Sequence, residues 1–229
     1  MERIVNREDK KRLLDFLSSY VSENKKQLFD KIIQYRTRHI TVVLEDIYQP
    51  HNASAVLRSC DCFGIQDVHI IENKNSYEVN PDVALGSSKW LNLIKYNENE
   101  SNTPEAFKKL REQGYRIVAT TPHKNDTLLD DLDIDGKTAL VFGTELKGLS
   151  DIALENADAF VKIPMYGFTE SFNISVSAAI ILHHLTEKLR NRDINWHLTD
   201  EEILDIKLNW VKAVVKKSDI LEKEFFSRQ

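Results

Sequence analysis

The chain has 229 residues, of which 41% are hydrophobic, which is enough for one buried core with appendages. Its only cysteines, Cys60 and Cys62, form a C-x-C pair without nearby histidine or cysteine partners, which argues against a disulfide framework or a zinc site. No apolar run approaches the roughly 20 residues that span a bilayer, and the charged N-terminus is unlike a signal peptide. Composition therefore predicts a cytoplasmic protein with reduced thiols and no membrane partner.

The formal net charge of −5 speaks against a polyanionic partner, but the charge is unevenly distributed. Residues 1–40 carry ten basic and six acidic side chains, whereas residues 120–160 carry three basic and nine acidic ones. Such runs are usually solvated faces. If the protein contacts a polyanion, we expect the contact at the ends of the chain.

Apolar residues recur at helical spacing near the N-terminus and predict a helical hairpin. Strands are then predicted at 39–44, 68–71, 115–119, 139–142 and 160–163. Helices are predicted between and after them at 53–63, 104–113, 150–156 and 174–190. This alternation is typical of an α/β fold, a parallel sheet flanked by helices on both faces. We predict an N-terminal helical extension (1–36), an α/β domain (37–190) and a C-terminal helical extension (191–229).

The first of three unusual loops joins the first strand to the next helix. Pro50 disfavours helix at Gln49, and Asn52 is suited either to cap the following helix or to serve a ligand site. Arg58, on the same helix, is placed to pair on the surface with Asp61 at i+3. The local pattern leaves both the structural and the functional roles open.

The second loop, residues 142–150, follows an apolar strand and precedes a short helix with Ser150 as its expected cap. Gly143 and Gly148 allow close backbone approach or a positive φ. A lysine followed by Ser or Thr is missing after the second glycine, so a phosphate-binding loop of an NTPase is excluded. Glu145 is either a solvent carboxylate or a site residue.

The third loop, residues 163–173, leads from a strand into the long helix. Ser171 or Asn173 is expected to cap that helix, whose N-terminus also favours an anionic or hydroxyl ligand. All three loops follow the carboxyl ends of strands, where open α/β sheets bind ligands. The pattern thus predicts a ligand site, without specifying a reaction.

These segments resemble the signature motifs of the SpoU/TrmH family of RNA ribose 2'-O-methyltransferases, in the SPOUT class. They read NASAVLRSCD at 52–61, LVFGTE with GLS at 140–150, and IPM with SFNISV at 163–176. They occur in the same order and in strand, loop and helix contexts over residues 38–190. The resemblance is to the branch that methylates guanosine 18 in the tRNA D-loop, through LEDI at 44–47, GSSKWL at 86–91 and the two helical extensions.

The resemblance implies a deep C-terminal trefoil knot whose loops wrap S-adenosylmethionine, with tRNA as substrate and no metal. It also implies a homodimer that shares its active sites across the interface, and the apolar stripe from Ile174 to Leu185 is compatible with such packing. Where this chain has Phe172, the family often has Leu. Backbone groups of four residues are expected to hold the cofactor: Thr120, Gly143, Ile163 and Phe172.

The same resemblance assigns five residues to catalysis. Because a guanidinium stays protonated, we expect Arg58 to bind the adjacent phosphate and polarise the 2'-hydroxyl rather than act as a simple base. Asn52 is expected to hold Arg58 or the RNA backbone, and Glu145 to fix the cofactor loop or orient Arg58. Ser171 and Asn173 are expected to shape the pocket. Basic residues of both extensions are expected to contact phosphates.

Two alternatives remain open. The same chemistry could act on ribosomal RNA, because nothing in the motifs reads the target sequence. A non-catalytic RNA-binding module is disfavoured by the joint presence of the five catalytic candidates. A nicotinamide-dependent dehydrogenase is set aside because no G-x-G-x-x-G follows a strand.

Overall fold

The computed structural model describes residues 6–77, 86–121, 127–144 and 147–227. The chain divides into two compact units. The sheet unit is Thr37–Trp196, and the helical unit joins Met1–Arg36 to His197–Gln229. The terminal segments that the sequence analysis treats as two extensions thus belong to one unit, while residues 191–196 lie in the sheet unit.

The helices and strands follow one another along the chain as predicted in outline. The helices are α1 (Arg7–Ser18), α2 (Glu23–Ile33), α3 (Pro50–Phe63), α4 (Thr103–Glu112), α5 (Asp151–Glu155), α6 (Ile174–Arg190), α7 (Asp200–Val214) and α8 (Ser218–Ser227). The strands are β1 (Ile40–Glu45), β2 (Asp67–Ile71), β3 (Asn92–Tyr96), β4 (Arg116–Thr120), β5 (Thr127–Leu128), β6 (Thr138–Phe142) and β7 (Ala159–Lys162).

The seven strands of the described residues form one sheet in the order β3-β2-β1-β6-β4-β7-β5, and every pairing between them is parallel. The predicted parallel α/β sheet is therefore confirmed. The prediction missed β3 and β5, which lie at the two edges of the sheet. Edge strands need less apolar sequence: β3 contains Asn92 and the exposed Lys95, and β5 has only two residues.

Alternating side chains of each central strand enter two different cores. In β1, Val42 and Leu44 pack with α3 and α6, whereas Val43 faces the opposite side with α4 and α5. This alternation follows from the two-residue period of a strand, and it explains why β1 is apolar along most of its length. Both faces of the sheet are thus covered by helices.

The apolar stripe of α6 is buried within its own chain. Ile174 is 6% exposed, and Ala178, Ile181, Leu182 and Leu185 are each no more than 1% exposed in the core that includes α3. The stripe therefore serves the fold of the sheet unit, and it gives no support for packing against a second copy.

In the helical unit, α1 and α2 pack against α7 around buried apolar side chains, including Leu13, Leu17 and Phe29. The Phe29 and Trp210 rings lie 5.5 Å apart, and the guanidinium of the buried Arg36 lies 5.3 Å from the Trp210 ring centre. The two predicted N-terminal helices are confirmed as α1 and α2, but they pack mainly against α7 rather than against each other as a hairpin.

Ion pairs join the helices of this unit. Arg7 Nε lies 3.3 Å from a Glu201 oxygen, and Lys10 Nζ lies 2.7 Å from an Asp205 oxygen. Two of the basic residues predicted to meet a polyanion, Arg7 and Lys10, are thus paired with acidic side chains of α7.

Candidate active site at the carboxyl edge of the sheet

The first loop and the third loop are joined by a hydrogen bond between two asparagines. Asn173 Nδ2 donates to Asn52 Oδ1 at 3.2 Å, and Asn52 Nδ2 donates to Gln49 Oε1 at 3.0 Å. Helix α3 begins at Pro50 with Gln49 in the capping position, so the prediction that Asn52 caps this helix is wrong. Asn52 is only 5% exposed, and its amide connects two strand ends.

Arg58 lies two turns further along α3 and is exposed. Its guanidinium forms no hydrogen bond or ion pair within the part of the chain that the structure describes, so the proposed surface pair with Asp61 is not formed. The exposed guanidinium of Arg58 is therefore available to an anionic ligand.

The second loop depends on its two glycines. A Cβ on Gly143 would lie 2.3 Å from the carbonyl carbon and oxygen of Gly148, so only glycine fits without a shift of the backbone. Thr144 and Gly148 exchange two backbone hydrogen bonds of 2.9 Å, and Gly148 has φ +67°. Both predicted uses of glycine, close approach and positive φ, are confirmed. Glu145 lies outside the described residues.

A buried carboxylate that the sequence analysis did not single out supports this loop. Glu45 ends β1 and is 2% exposed. It accepts hydrogen bonds from Ser150 N at 2.9 Å, Ser150 Oγ at 2.7 Å and Thr103 Oγ1 at 2.6 Å. An acidic residue closing an otherwise apolar strand is the signal that could have identified it, since such a charge must be partnered when buried.

The third loop starts α6 with Asn173 as its cap. Asn173 Oδ1 accepts a hydrogen bond from Ser175 N at 2.8 Å, which confirms one of the two predicted capping residues. Ser171 is exposed beside it, and Phe172 is 43% exposed. The loop therefore presents side chains to solvent while its end is fixed by the helix and by Asn52.

A cavity of about 370 Å³ opens between the second and third loops. Five of the predicted site residues line it: Thr120, Gly143, Ile163, Ser171 and Phe172. Asn52, Arg58 and Asn173 are not among its lining residues. Prediction from sequence missed much of its apolar wall, which includes Leu149, Leu154, Val161 and Ile181.

The cavity combines apolar and polar surfaces. Leu149 and Val161 are buried core residues that offer an apolar wall, while Thr144, Lys147 and Ser177 add polar groups. Its volume lies in the range of about 300–1,000 Å³ typical of small-molecule sites. It can therefore hold a ligand with a flat apolar part and a polar tail.

The described residues contain neither a metal-binding cluster nor a membrane-spanning helix. No group of three or more histidine, cysteine, aspartate or glutamate side chains is arranged there to hold a metal ion. Among the same residues, none of the helices has the length and apolar character needed to cross a membrane. Cys60 is buried and Cys62 is exposed on α3, and no disulfide bond joins them.

The residues that line this cavity lie within a region that matches a known protein family. Residues 39–183 match the SpoU rRNA Methylase family. A tRNA (guanosine(18)-2'-O)-methyltransferase of Borreliella burgdorferi is 45% identical over 206 residues, covering 90% of this chain and 93% of the relative. The enzyme of the same name from Thermus thermophilus is 34% identical over 161 residues, covering 70% and 81%.

The fold has a close counterpart among solved structures. The TrmH/SpoU tRNA modifying enzyme of Aquifex aeolicus superposes with a TM-score of 0.75 and 28% identity, covering 85% of this chain and 98% of that one. Sequence, motif order and fold agree over the sheet unit, and the chain belongs to the SpoU methylase family.

Proposed function

We propose that this protein methylates the ribose 2'-hydroxyl of guanosine 18 in the tRNA D-loop, in the cytoplasm, with S-adenosylmethionine as methyl donor. The observation that carries the proposal is the match to the Borreliella relative, which extends over 93% of a protein named for that reaction at 45% identity. The match covers 90% of this chain, so it extends beyond the catalytic motifs into the flanking helices.

The cavity fits the methyl donor. Its apolar wall, with Leu149 and Val161, suits an adenine ring, and its polar rim suits the amino-acid end. Gly143 and Gly148 both line the cavity, so backbone rather than side chain is presented to the ligand there. Backbone groups at Thr120, Gly143, Ile163 and Phe172 would hold the cofactor, which supplies an activated methyl group when bound.

The protein's own task is to position the hydroxyl and manage its proton. The 2'-oxygen must lie in line with the methyl carbon, at about 3 Å. Arg58 would bind the phosphate beside the target ribose and polarise the hydroxyl, since its guanidinium remains protonated and offers five donors. The proton then leaves to a phosphate oxygen or to water.

The remaining catalytic candidates would shape the ribose site. The hydrogen bond between Asn52 and Asn173 fixes the first loop against the start of α6, which supports a role for both as positioning residues. Ser171 lines the cavity next to Phe172 and would contact the target nucleotide. Glu145, which lies outside the described residues, would fix the cofactor loop or orient Arg58.

A homodimer would complete the site. Arg58 is exposed and lies outside the lining of its own chain's cavity, which supports a site in which one protomer supplies Arg58 to the cavity of its partner. Phe172 and Val176, 43% and 44% exposed, would be covered by the second copy. The stripe of α6 is buried within its own chain and would take no part in this interface.

The trefoil knot belongs to the same proposal. After β6 the chain passes β4 and re-enters the sheet as β7, on the other side of β4. Helix α6 then packs against α3. The second and third loops line one cavity, as loops wrapped around a knot would.

Not all basic side chains of the N-terminal region are available to tRNA phosphates. Arg7 and Lys10 pair with acids of α7. Lys11 and Lys31 are exposed and form no ion pair among the described residues, so they would contact the RNA backbone. Such contacts add affinity and salt dependence but little sequence reading.

One specific observation favours a second candidate, methylation of ribosomal RNA: the matching family is described as an rRNA methylase family. The chemistry and residue roles would be unchanged. A non-catalytic RNA-binding module has less support, because the cavity and the motif residues occur together.

The test supplies labelled S-adenosylmethionine with unmodified tRNA or ribosomal RNA transcripts and maps the methylated nucleoside by mass spectrometry. Label at the 2'-oxygen of guanosine 18, lost in Arg58→Ala but retained in Arg116→Ala, is the expected result. Arg116 is the matched control, because it is an exposed arginine at the start of β4, away from the carboxyl edge. Label in ribosomal RNA alone would assign ribosomal RNA as the substrate. Label in neither RNA would contradict the proposal.

A further inference from the structure

Two aromatic side chains next to the cavity have almost no contact with the rest of the protein. Tyr166 and Phe168 have relative exposures of 95% and 108%, and Gly167 lies between them. We call residues 164–169 the aromatic loop. Single exposed apolar residues are common on protein surfaces, but two fully exposed rings on one short loop beside a ligand cavity form a binding feature.

The aromatic loop lines two neighbouring cavities. The first is the proposed cofactor cavity, and the second, of about 550 Å³, is lined in part by Leu128, Pro164 and Tyr166. Lys162, Ile163, Met165 and Glu170 line both. A ligand group seated in the second cavity is therefore adjacent to whatever occupies the first.

The chemistry of the loop matches a nucleobase. A base offers a flat π face, and stacking on an aromatic ring does not depend on which base it is. Lys162 and Glu170 both line the two cavities, so a positive charge is available to a nucleotide phosphate and a carboxylate can accept hydrogen bonds from base amino groups. A second protein copy is the poorer occupant, because Gly167, Thr169 and Glu170 break the apolar surface and the core of a protein interface is depleted in charge.

Methylation of a ribose inside a folded RNA also requires such a contact. A nucleotide whose base is stacked within the RNA cannot present its 2'-hydroxyl deep in a protein cavity, and unstacking it costs free energy. Stacking on protein rings offsets that cost. We propose that Tyr166 and Phe168 stack on unstacked bases of the substrate, at or next to the target nucleotide, with the second cavity receiving a base. This inference rests on the proposed function and adds a residue-level RNA contact to it.

The experiment measures RNA binding and stacking separately from methyl transfer. Unmodified tRNA carrying 2-aminopurine next to the target position is titrated with protein, so that quenching of its fluorescence reports stacking. The double variant Tyr166→Leu/Phe168→Leu keeps apolar volume but removes both rings. We expect it to weaken tRNA binding by roughly 5- to 100-fold and to abolish the stacking signal, since each stacked base contributes a substantial share of single-strand affinity.

The controls separate this contact from the other parts of the site. Tyr166→Phe in place of Tyr166→Leu restores one of the two rings and should recover part of the lost affinity, because the ring is what binds. Tyr20→Leu, which removes an exposed tyrosine of the helical unit that packs edge-on against Phe16, should leave tRNA affinity and stacking unchanged. Calorimetry should give the same S-adenosylmethionine affinity for the double variant as for the unaltered protein.

Three results would overturn the inference. The first is a double leucine variant that binds tRNA and quenches 2-aminopurine like the unaltered protein. The second is lost affinity accompanied by a smaller mass in sedimentation, which would assign the rings to contact between copies. The third is stacking that persists in the absence of both rings. Failure of the proposed function itself would appear differently, as RNA that binds and stacks but receives no methyl group.

Discussion

The helical unit and the sheet unit place their polar side chains differently. In the helical unit, charged residues such as Lys10 and Asp205 pair at the surface, and an apolar seam with Leu13 is buried beneath them. In the sheet unit, Glu45 and Asn52 are buried at the carboxyl edge and fully engaged in hydrogen bonds between loops. Burial makes the second arrangement costly to disturb, whereas exposed pairs contribute little. The site therefore depends on polar contacts that also hold the fold of its loops.

The largest effect is expected from Gly143→Ala. The added methyl group would lie 2.3 Å from the backbone of Gly148, so the loop must move, and a displacement of about 1 Å in a site can cost about 100-fold in rate. We expect S-adenosylmethionine binding by calorimetry and methyl transfer to fall by at least that factor. Gly136→Ala is the matched control, because nothing lies within 4 Å of its added methyl. Equal cofactor affinity in the two variants would contradict the assignment of this loop.

Glu45→Ala tests whether buried polar contacts support the sheet unit. The variant leaves the donors of Ser150 and Thr103 without their acceptor, so we expect a loss of about 3 kcal/mol in the free energy of unfolding, measured by urea denaturation. Glu112→Ala removes an exposed carboxylate at the end of α4 and should change stability by no more than about 0.5 kcal/mol. Equal effects of the two variants would remove the contrast between buried and exposed polar groups.

The sheet unit also contains a buried histidine that makes its stability depend on pH. His69 is 1% exposed, and its Nδ1 lies 2.9 Å from the Tyr96 hydroxyl. Burial lowers the pKa of His69 to about 4. In the unfolded chain this histidine binds a proton near its ordinary pKa of about 6.5, so acid favours unfolding. Stability is retained above about pH 6.5 and lost as the pH falls towards about 4.

The expected loss is about 1.4 kcal/mol per pH unit within that window, or about 2 kcal/mol between pH 6.5 and pH 5. Urea denaturation at several pH values should show this slope for the unaltered protein and a shallower one for His69→Gln. Because the comparison uses slopes, a general loss of stability in the variant does not affect it. Parallel curves would show that another group carries the pH dependence.

The sequence predicts the repeating parts of this fold well, because they depend on local periodicity. The strands with continuous apolar runs and helix α6 are found at or near their predicted bounds. The edge strands β3 and β5 were not predicted, because short or half-polar segments show too weak a hydrophobic pattern. The pattern also located the three loops that surround the candidate site, while the reaction came only from resemblance to a family.

Contacts between residues far apart in the chain could not be predicted from the sequence. Asn52 suits a helix cap by local rules, yet its amide bonds to Asn173, 121 positions away. Glu45 bonds to Ser150, 105 positions away, and no local pattern indicates that pairing. The same limit applies to charge: the basic count of the N-terminal region could not show that Lys10 is paired with α7.

The smallest effect is expected in the helical unit, from the pair between Lys10 and Asp205. Lys10 Nζ lies 2.7 Å from Asp205 and 3.4 Å from Glu201, and the hydrogen bond to Asp205 raises the pKa of Lys10. These side chains remain partly exposed, so water and salt screen the attraction. A double-mutant cycle of Lys10→Met with Asp205→Asn should give a coupling of less than about 1 kcal/mol, decreasing with added salt.

Leu13→Ala, on the same helix as Lys10, should cost about 2–5 kcal/mol because Leu13 is fully buried. A coupling between Lys10 and Asp205 as large as that loss would mean that the ion pairs, rather than the apolar seam, hold this unit together. The salt dependence separates the two cases, since the loss from Leu13→Ala should not change with ionic strength. A weak and salt-sensitive pair would also leave α1 free to exchange its intramolecular partners for RNA phosphates at little cost, whereas a strong pair would keep Lys10 bound to α7 in the complex.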